Sequence, residues 1–460
     1  MSSVFDIAIV GAGPAGMAAA VEARALGLSV AVLDDQPTIG GQILRGITRS
    51  KPEFYEAWGG PLAERFLSSG VTHIAGAAVW ARDGNELCFS RRGATDKVKA
   101  RGFILATGSM ERPMMVPGHT LPGVVTAGAL QSLMKGSGAV PAGRFVLAGN
   151  GPLLLLCALQ LIEAGARPAA IIETTPASRL FRALPLTPGL ARDLPLLRKG
   201  LGLMVGIRRS GVPFFAGASG LRIAGEECAE AIHFTHRGRT RIIPASLIAL
   251  HDGVVPNDNL AVSMGGKTAW NQALSCYETE TEGTSGLSGA KDIWVAGDSV
   301  AIAGGYQAML SGRLAALDAA HALGLCDGEH HACASAPLLA ERKHLGTARR
   351  FIDRYYAPTL LPRQAPDETL ICRCEEVSLG TVRAAIAAGA DGTRSLKAAT
   401  RCGMGPCQGR QCTVSVASAL AAEAPGLNFE RPSLRFPARP ITVAELAQSH
   451  VGLDHSGSDA

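Results

Sequence analysis

Residues 5–34 read FDIAIVGAGPAGMAAAVEARALGLSVAVLD, and this stretch decides the fold. Phe5 to Val10 is a short apolar run of strand length. Gly11-Ala12-Gly13-Pro14-Ala15-Gly16 turns it into a helical segment, Met17 to Leu26, which Gly27 ends. Val30 to Leu33 is a second buried strand, closing on Asp34. Strand, glycine-rich turn, helix, strand and terminal acid together make a complete βαβ dinucleotide-binding unit. Gly11 permits the tight turn, Gly13 lets a pyrophosphate approach the backbone, and Gly16 lets the helix sit close to the strand. The free N–H groups and positive dipole end of the helix face the phosphates. Asp34 is placed to accept from ribose hydroxyls.

The same pattern returns about 140 residues later. Phe145 to Ala148 is apolar, Gly149-Asn150-Gly151-Pro152-Leu153-Leu154 follows, a helical run reaches Ala164, and Ala169 to Ile172 closes on Glu173. Here Leu154 replaces the third glycine, which should hold helix and strand further apart. Glu173 keeps the ribose-acid position, so an NAD(P) site, an adenine-nucleotide site and a structural relic all stay open. Phe103 to Ala106 and Ile293 to Ala296 read as further buried strands, residues 221–243 as a hairpin region, and Gln307 to Leu323 as a helix. The fold class is therefore α/β, with two Rossmann-like dinucleotide-binding domains.

The 460 residues suffice for two or three domains. A net charge of +5, from 44 basic and 39 acidic residues, is mild, and no long basic run gives support to nucleic-acid binding. The apolar start, Ile7 to Ala20, lacks a basic leader region, and Pro152 to Ile162 is too short to span a bilayer. No transmembrane segment is expected, which leaves peripheral membrane attachment through a partner. Five of the eleven cysteines crowd into one motif, unlike a disulfide framework, so a reduced cytoplasmic setting is expected.

That motif runs ICRCEE at 371–376 and RCGMGPCQGRQC at 401–412, bringing Cys372, Cys374, Cys402, Cys407 and Cys412 into a thiolate cage. Soft ligands favour zinc or an iron–sulfur cluster, and spacing alone chooses neither between those two nor among the five cysteines. Arg373, Lys397, Arg401 and Arg410 offset thiolate charge, and Gly403, Gly405 and Gly409 free backbone N–H groups to point at sulfur. Ser378 caps a helix from Leu379 to Ala388, and a second runs from Ser395 to Thr400.

Several pieces resemble flavoproteins with two dinucleotide-binding domains: Gly40-Gly41-Gln42, Ala106-Thr107-Gly108 and Ala296-Gly297-Asp298. The resemblance implies FAD in the first domain, at Gly11, Gly13, Pro14, Ala15, Gly16, Asp34, Gly41, Gln42, Thr107, Gly108, Gly297 and Asp298. In that group the Gly-Asp carboxylate, here Asp298, contacts the ribityl–pyrophosphate region. The cysteine motif resembles the [2Fe–2S] domain named for bacterioferritin-associated ferredoxin. Its Cys-x-Cys and Gly-Met-Gly-x-Cys-Gln-Gly-x-x-Cys pattern implies Cys372, Cys374, Cys407 and Cys412 as ligands, with Cys402 an extra packed thiol. With ATGSMERPMMVPG, LPGVVTAGALQ, LHDGVVPN and VAGDSVAIAGG added, nearly the whole chain is similar to the FAD/[2Fe–2S] α (A) subunits of heteromeric opine oxidases and D-hydroxyproline dehydrogenases, and to the B subunit of hydrogen cyanide synthase.

This resemblance implies an electron-transferring subunit of an amine dehydrogenase. A D-amino-acid-oxidase-like β-subunit flavoprotein would oxidise the C–N bond, and this chain would carry the electrons outward. It also leaves room for a small third iron–sulfur subunit, for FMN at a subunit interface, and for membrane association through the complex. The expected organisation is an FAD domain at 1–120 and 245–330, a second nucleotide-type domain at 121–244, a linker at 331–366, the [2Fe–2S] domain at 367–422 and a Pro-rich tail at 423–460. A self-contained NAD(P)H-dependent reductase is the competing reading, and a scaffold with a structural nucleotide site a third. No cysteine pair lies near the flavin motifs, which argues against a disulfide reductase. His251 beside Asp252 reads as structural, and His330, His331, Cys326 and Cys333 as part of a flexible link, after which a helix is expected near Arg342 to Tyr355. No residue is assigned a catalytic role.

Overall fold

The computed structural model describes residues 4–48, 57–191, 193–359, 362–424, 426 and 429–448. In the first domain five strands lie parallel in the order Thr72–Ala75, Val30–Asp34, Phe5–Val10, Ala94–Leu105 and Ile293–Val295. Phe5–Val10 is central, with Ile7 opposite both Val30 and Gly102. Such a strand is covered on both faces, which is why its residues are nearly all apolar. Helices Pro14–Ala25 and Gly305–Ala322 cover one face. Their contact is made of Ala and Gly, and a Cβ on Gly312 would lie 2.0 Å from the Ala15 carbonyl oxygen. Ala94–Leu105 also continues into an antiparallel meander with Glu86–Arg91 and Ala78–Asp83.

The second domain repeats the plan. Phe214–Phe215, Ala170–Glu173, Phe145–Asn150, Leu247–Asp252 and Val124–Thr126 form a parallel sheet in that order. Helices Ala127–Ser137 and Pro152–Glu163 pack on one face, and an antiparallel sheet of Ser219–Ala224, Ala231–His236 and Arg239–Pro244 packs on the other. The expected hairpin region is thus a three-stranded sheet. The two domains are joined by Ser109–Glu111 running antiparallel to Val254–Pro256.

Two expectations about organisation change. Strand Leu247–Asp252 belongs to the second sheet, so the first domain resumes beyond Asp252 and not at 245. Its apolar run, Leu247 to Leu250, suits the centre of either sheet, and periodicity says nothing about which. The helix expected near Arg342 to Tyr355 is present but begins much earlier: Gly328–Tyr355 is a single helix of 28 residues, so the His- and Cys-bearing part is not a flexible link. Asp327 caps it by accepting from the His330 amide at 2.7 Å, and Leu338 and Ala348 are buried along it. His331 Nε2 meets Asp318 Oδ1 at 2.8 Å, while Cys333 is exposed, so these residues anchor the helix and do not converge as metal ligands.

The cysteine module has a short hairpin, Leu370–Cys372 with Val377–Ser378, and helices Leu379–Ala387, Thr393–Thr400 and Thr413–Glu423. Ser378 accepts from the Thr381 amide as the sequence suggests. Arg383 ties its start to its end through Asp367 and Glu423, at 2.6 and 2.8 Å. The described part of the tail, residues 429–448, lies along the first domain. The Ala438 amide donates to the Trp80 carbonyl, and Thr95 Oγ1 donates to the Glu445 carbonyl at the helix Val443–Gln448.

Candidate functional site

Four parallel strands of the first domain end around the start of helix Pro14–Ala25, and the residues singled out from the sequence gather there. Gly11 has a φ of +105°, and a Cβ there would lie 2.4 Å from the Ala106 carbonyl oxygen. A Cβ on Gly16 would lie 1.7 Å from the Gly11 carbonyl oxygen, so only glycine seats the helix on the strand end. Gly41 packs on Gly13, and Gly297 comes against Ala15. Pro14 occupies the first helical turn, where its missing N–H costs nothing. The loop between strand and helix is a bare backbone cradle at a helix N-terminus, the chemistry a pyrophosphate needs.

Around this cradle the polar groups have defined partners. Asp34 is buried, and one of its oxygens accepts from the Ala12 amide within the loop while the other accepts from Gln36 at 2.7 Å. Burial raises its pKa, against the pull of those amides. It therefore braces the loop as well as standing at the ribose end. Thr107 Oγ1 donates to the Asn257 carbonyl at 2.6 Å, and the Asn257 amide donates to Gly108 O at 2.9 Å. Asp298 Oδ1 accepts from the amides of Ala303 and Gly304 at 2.9 and 3.1 Å, fixing the turn that launches helix Gly305–Ala322. Gln42 is exposed and accepts from Ser132 at 3.0 Å. Sequence reasoning missed Lys135, whose Nζ donates to the Ile43 carbonyl at 3.1 Å beside this loop. No local pattern marks it, because its contact is with the other domain.

In the second site, Cys372, Cys402 and Cys412 are buried with their sulfurs all within 4.8 Å of one another. Cys374 is exposed, and its thiol is paired with that of Cys407. All five thiols thus come together, and the innermost group includes Cys402. Cys372 is pushed above the ordinary thiol range, first by the hydrogen bond with Cys412 and then by burial. Buried thiols this close cannot all ionise without a cation among them. Gly405 and Gly409 are forced by space: a Cβ on the first would lie 2.5 Å from Cys374 Cβ, and one on the second 2.7 Å from Thr413 Oγ1. Cys412 begins helix Thr413–Glu423, whose N-terminus favours a thiolate. Arg401 reaches Glu375 at 2.9 Å, and Arg410 donates to the Cys407 carbonyl at 3.3 Å. The donor set fits an iron–sulfur centre.

One hairpin, Thr268–Asn271 with Cys276–Thr279, touches both sites. Its Thr279 bonds the turn after Asp298, through Ser299 O at 2.8 Å and Val300 O at 3.0 Å. Its Trp270 packs on Phe429, which belongs to the module's core, with ring centroids 6.1 Å apart. Arg431, whose side chain is only 6% exposed, pairs with Asp258 and donates to Asn259 Oδ1 at 2.8 Å, pinning the chain that leaves the module to the first domain.

Residues 5–324 match the family model described as pyridine nucleotide-disulphide oxidoreductase, and residues 370–422 match the BFD-like [2Fe–2S] binding domain. The first indicates an FAD-type flavin and the second a [2Fe–2S] centre. The chain is 39% identical to the opine oxidase A subunit of Agrobacterium tumefaciens (strain Ach5), over 97% of this chain and 92% of that one. It is 31% identical to the hydrogen cyanide synthase subunit HcnB of Pseudomonas aeruginosa, over 94% and 96% respectively. Among solved structures, L-proline dehydrogenase from P. horikoshii shares the fold with a TM-score of 0.67 at 19% identity, over 97% of this chain and 80% of that one. The glycine cradle, the thiol cage and these matches agree: the chain is an oxidoreductase belonging to the pyridine nucleotide-disulphide oxidoreductase family, in the branch that holds the opine oxidase A subunits and carries a C-terminal BFD-like [2Fe–2S] domain.

Proposed function

We propose that this chain is the electron-transferring flavin/iron–sulfur subunit of a heteromeric amine dehydrogenase acting on an opine or a D-amino or imino acid. The observation that carries the reading is the hairpin at 268–279, which is bonded to the Asp298 turn on one side and packed against the thiol module on the other. When bound, FAD exchanges electron pairs or single electrons and a [2Fe–2S] centre exchanges single ones, so together they convert a two-electron oxidation into one-electron steps. The chain's residues do the holding. Gly11 to Gly16 and Gly41 would cradle the pyrophosphate, Asp34 and Asp298 set the loops around it, and Thr107–Gly108 is held in place by Asn257.

Cys372 with Cys412, and Cys374 with Cys407, are hydrogen-bonded thiol pairs that would each serve one iron of the cluster, while Cys412 also bonds Cys402. Cys402 is then a third sulfur on the inner side. Amine oxidation belongs to a partner, a D-amino-acid-oxidase-like flavoprotein subunit. The relatives are themselves called subunits, which supports a partner, and so does the crossover at residues 174–213. That segment holds seven Arg and Lys against one Asp, a net +6 in a chain of net +5. It exposes Leu194, Leu201 and Val205 along helix Leu194–Arg209, a face suited to an apolar partner surface with an acidic rim.

The test is purification alone and with the subunits encoded beside it. The lone chain is expected to hold flavin and iron yet leave opines and D-amino acids unoxidised, and the complex to oxidise one of them. Turnover by the lone chain would overturn the reading.

A further inference from the structure

The family name implies a pyridine nucleotide on the second domain, at the carboxyl ends of its central strands. In this chain the polar groups there are committed to the chain itself. Asn150, the middle residue of the Gly149–Gly151 loop, is fully buried. Its Nδ2 donates to the carbonyls of Tyr356 and Ala357 at 3.0 and 2.8 Å, and its Oδ1 accepts from Thr175 at 2.6 Å. Arg179 donates to the carbonyls of Ala357 and Pro358. Asp252, at the end of the neighbouring strand, accepts from the Thr359 amide at 2.9 Å and from its hydroxyl at 3.0 Å. Thr174 and Thr359 share a hydroxyl contact at 2.6 Å. Glu173, the ribose-acid position, is buried and accepts from the Thr175 amide at 2.8 Å.

We infer that the peptide Tyr356–Thr359 is the resident occupant of the second nucleotide crevice. Its three carbonyl oxygens face an amide and a guanidinium, the donors that phosphate oxygens would otherwise take. Strand ends Asn150, Thr174 and Asp252 hold it from three sides, so a pyridine nucleotide would have to break all of these hydrogen bonds to enter. Leu154 in place of the third glycine agrees with a loop no longer shaped to bring a pyrophosphate close. The peptide follows helix Gly328–Tyr355 and precedes the iron–sulfur module. The crevice thus acts as the mooring of the module's tether, and electrons reach this chain by a route other than NAD(P)H.

The inference goes beyond the proposed role and fails separately from it, since its test reads binding and protection, not turnover. The flavin-loaded chain is titrated with NADH, NADPH and ADP by calorimetry, and hydrogen exchange is followed across 356–359. No saturable binding at millimolar nucleotide is expected, with slow exchange at Thr359 that nucleotide leaves unchanged. In Asn150→Ala and Asp252→Asn, limited proteolysis between helix and module should quicken several-fold while flavin stays bound. Stoichiometric nucleotide binding by the unaltered chain, or free exchange at Thr359 in it, would overturn the inference, as would unchanged proteolysis in both folded variants. The exchange measurement needs no variant and decides the matter even where a substitution prevents folding.

Discussion

Single residues decide which thiols matter. The sulfurs of Cys372, Cys402 and Cys412 are mutually close, but one iron of a two-iron cluster takes two protein thiolates, so a trio holds one too many. Cys407→Ser is expected to abolish the reduced-state EPR signal and lower iron content while leaving FAD bound, whereas Cys402→Ser should keep the signal. Loss of the cluster in Cys402→Ser with retention in Cys412→Ser would exchange their roles. Lys135 offers a second residue-scale test. Burial pulls its pKa from 10.5 to about 8. Below pH 8 folded and unfolded chains both hold the proton, and the folded one bears the desolvation cost. Between about 8 and 10.5 the unfolded chain holds the proton and the folded chain has released it, so stability rises with pH. Relative to Lys135→Met, the unaltered chain should gain about 1–2 kcal/mol across that window after screening, measured by urea unfolding at each pH. A flat difference would mean Lys135 titrates normally.

At the scale of elements, helices Pro14–Ala25 and Gly305–Ala322 meet backbone to backbone at Gly312 and Ala15. Gly312→Ala inserts a methyl where the Ala15 carbonyl stands, so the second helix must shift. That costs about 1–3 kcal/mol, by the usual penalty for overpacking. Because Gly297 and Asp298 lead into that helix, flavin should also be retained less well, which absorbance of the purified protein reads. Unaltered flavin content would show that the helices can part without moving the turn. The βαβ units were legible because glycine punctuation and apolar period are local signals, and Ser378 capping its helix is local too. Helix Gly328–Tyr355 was legible only from about Arg342 on: its first half contains Pro337 and a thin, His- and Ala-rich stripe, and its supports there are distant residues such as Asp318. Strand Leu247–Asp252 could be recognised but not assigned to a sheet, since pairing partners lie about 100 residues away at Phe145–Asn150. The resident peptide at 356–359 left no trace in the sequence, because backbone carbonyls accept hydrogen bonds whatever side chains they carry.

The whole molecule is organised as two cradles and a surface left over. The flavin cradle and thiol cage are braced through the 268–279 hairpin and the Arg431–Asp258 pair, whereas helix Leu194–Arg209 of the crossover exposes Leu194, Leu201 and Val205 together with Arg198, Arg208 and Arg209, which neither site uses. Leu194, Leu201 and Val205 recur at intervals of seven and four along helix Leu194–Arg209 and so share a side. The helix is already anchored by Leu203 and Ile207 on its opposite flank, so substitutions on the outer side leave its packing intact. Electrostatic complementarity of this kind governs rate and choice of partner, and apolar burial governs how long the partner stays. Leu201→Glu combined with Val205→Glu is therefore expected to remove the partner subunit from co-purification while flavin and iron contents hold. Arg198→Ala with Arg208→Ala should instead slow association and weaken its dependence on salt. If the double glutamate variant co-purifies at full stoichiometry, the partner docks elsewhere; if it is lost from anionic vesicles and not from the partner, the face is a membrane surface.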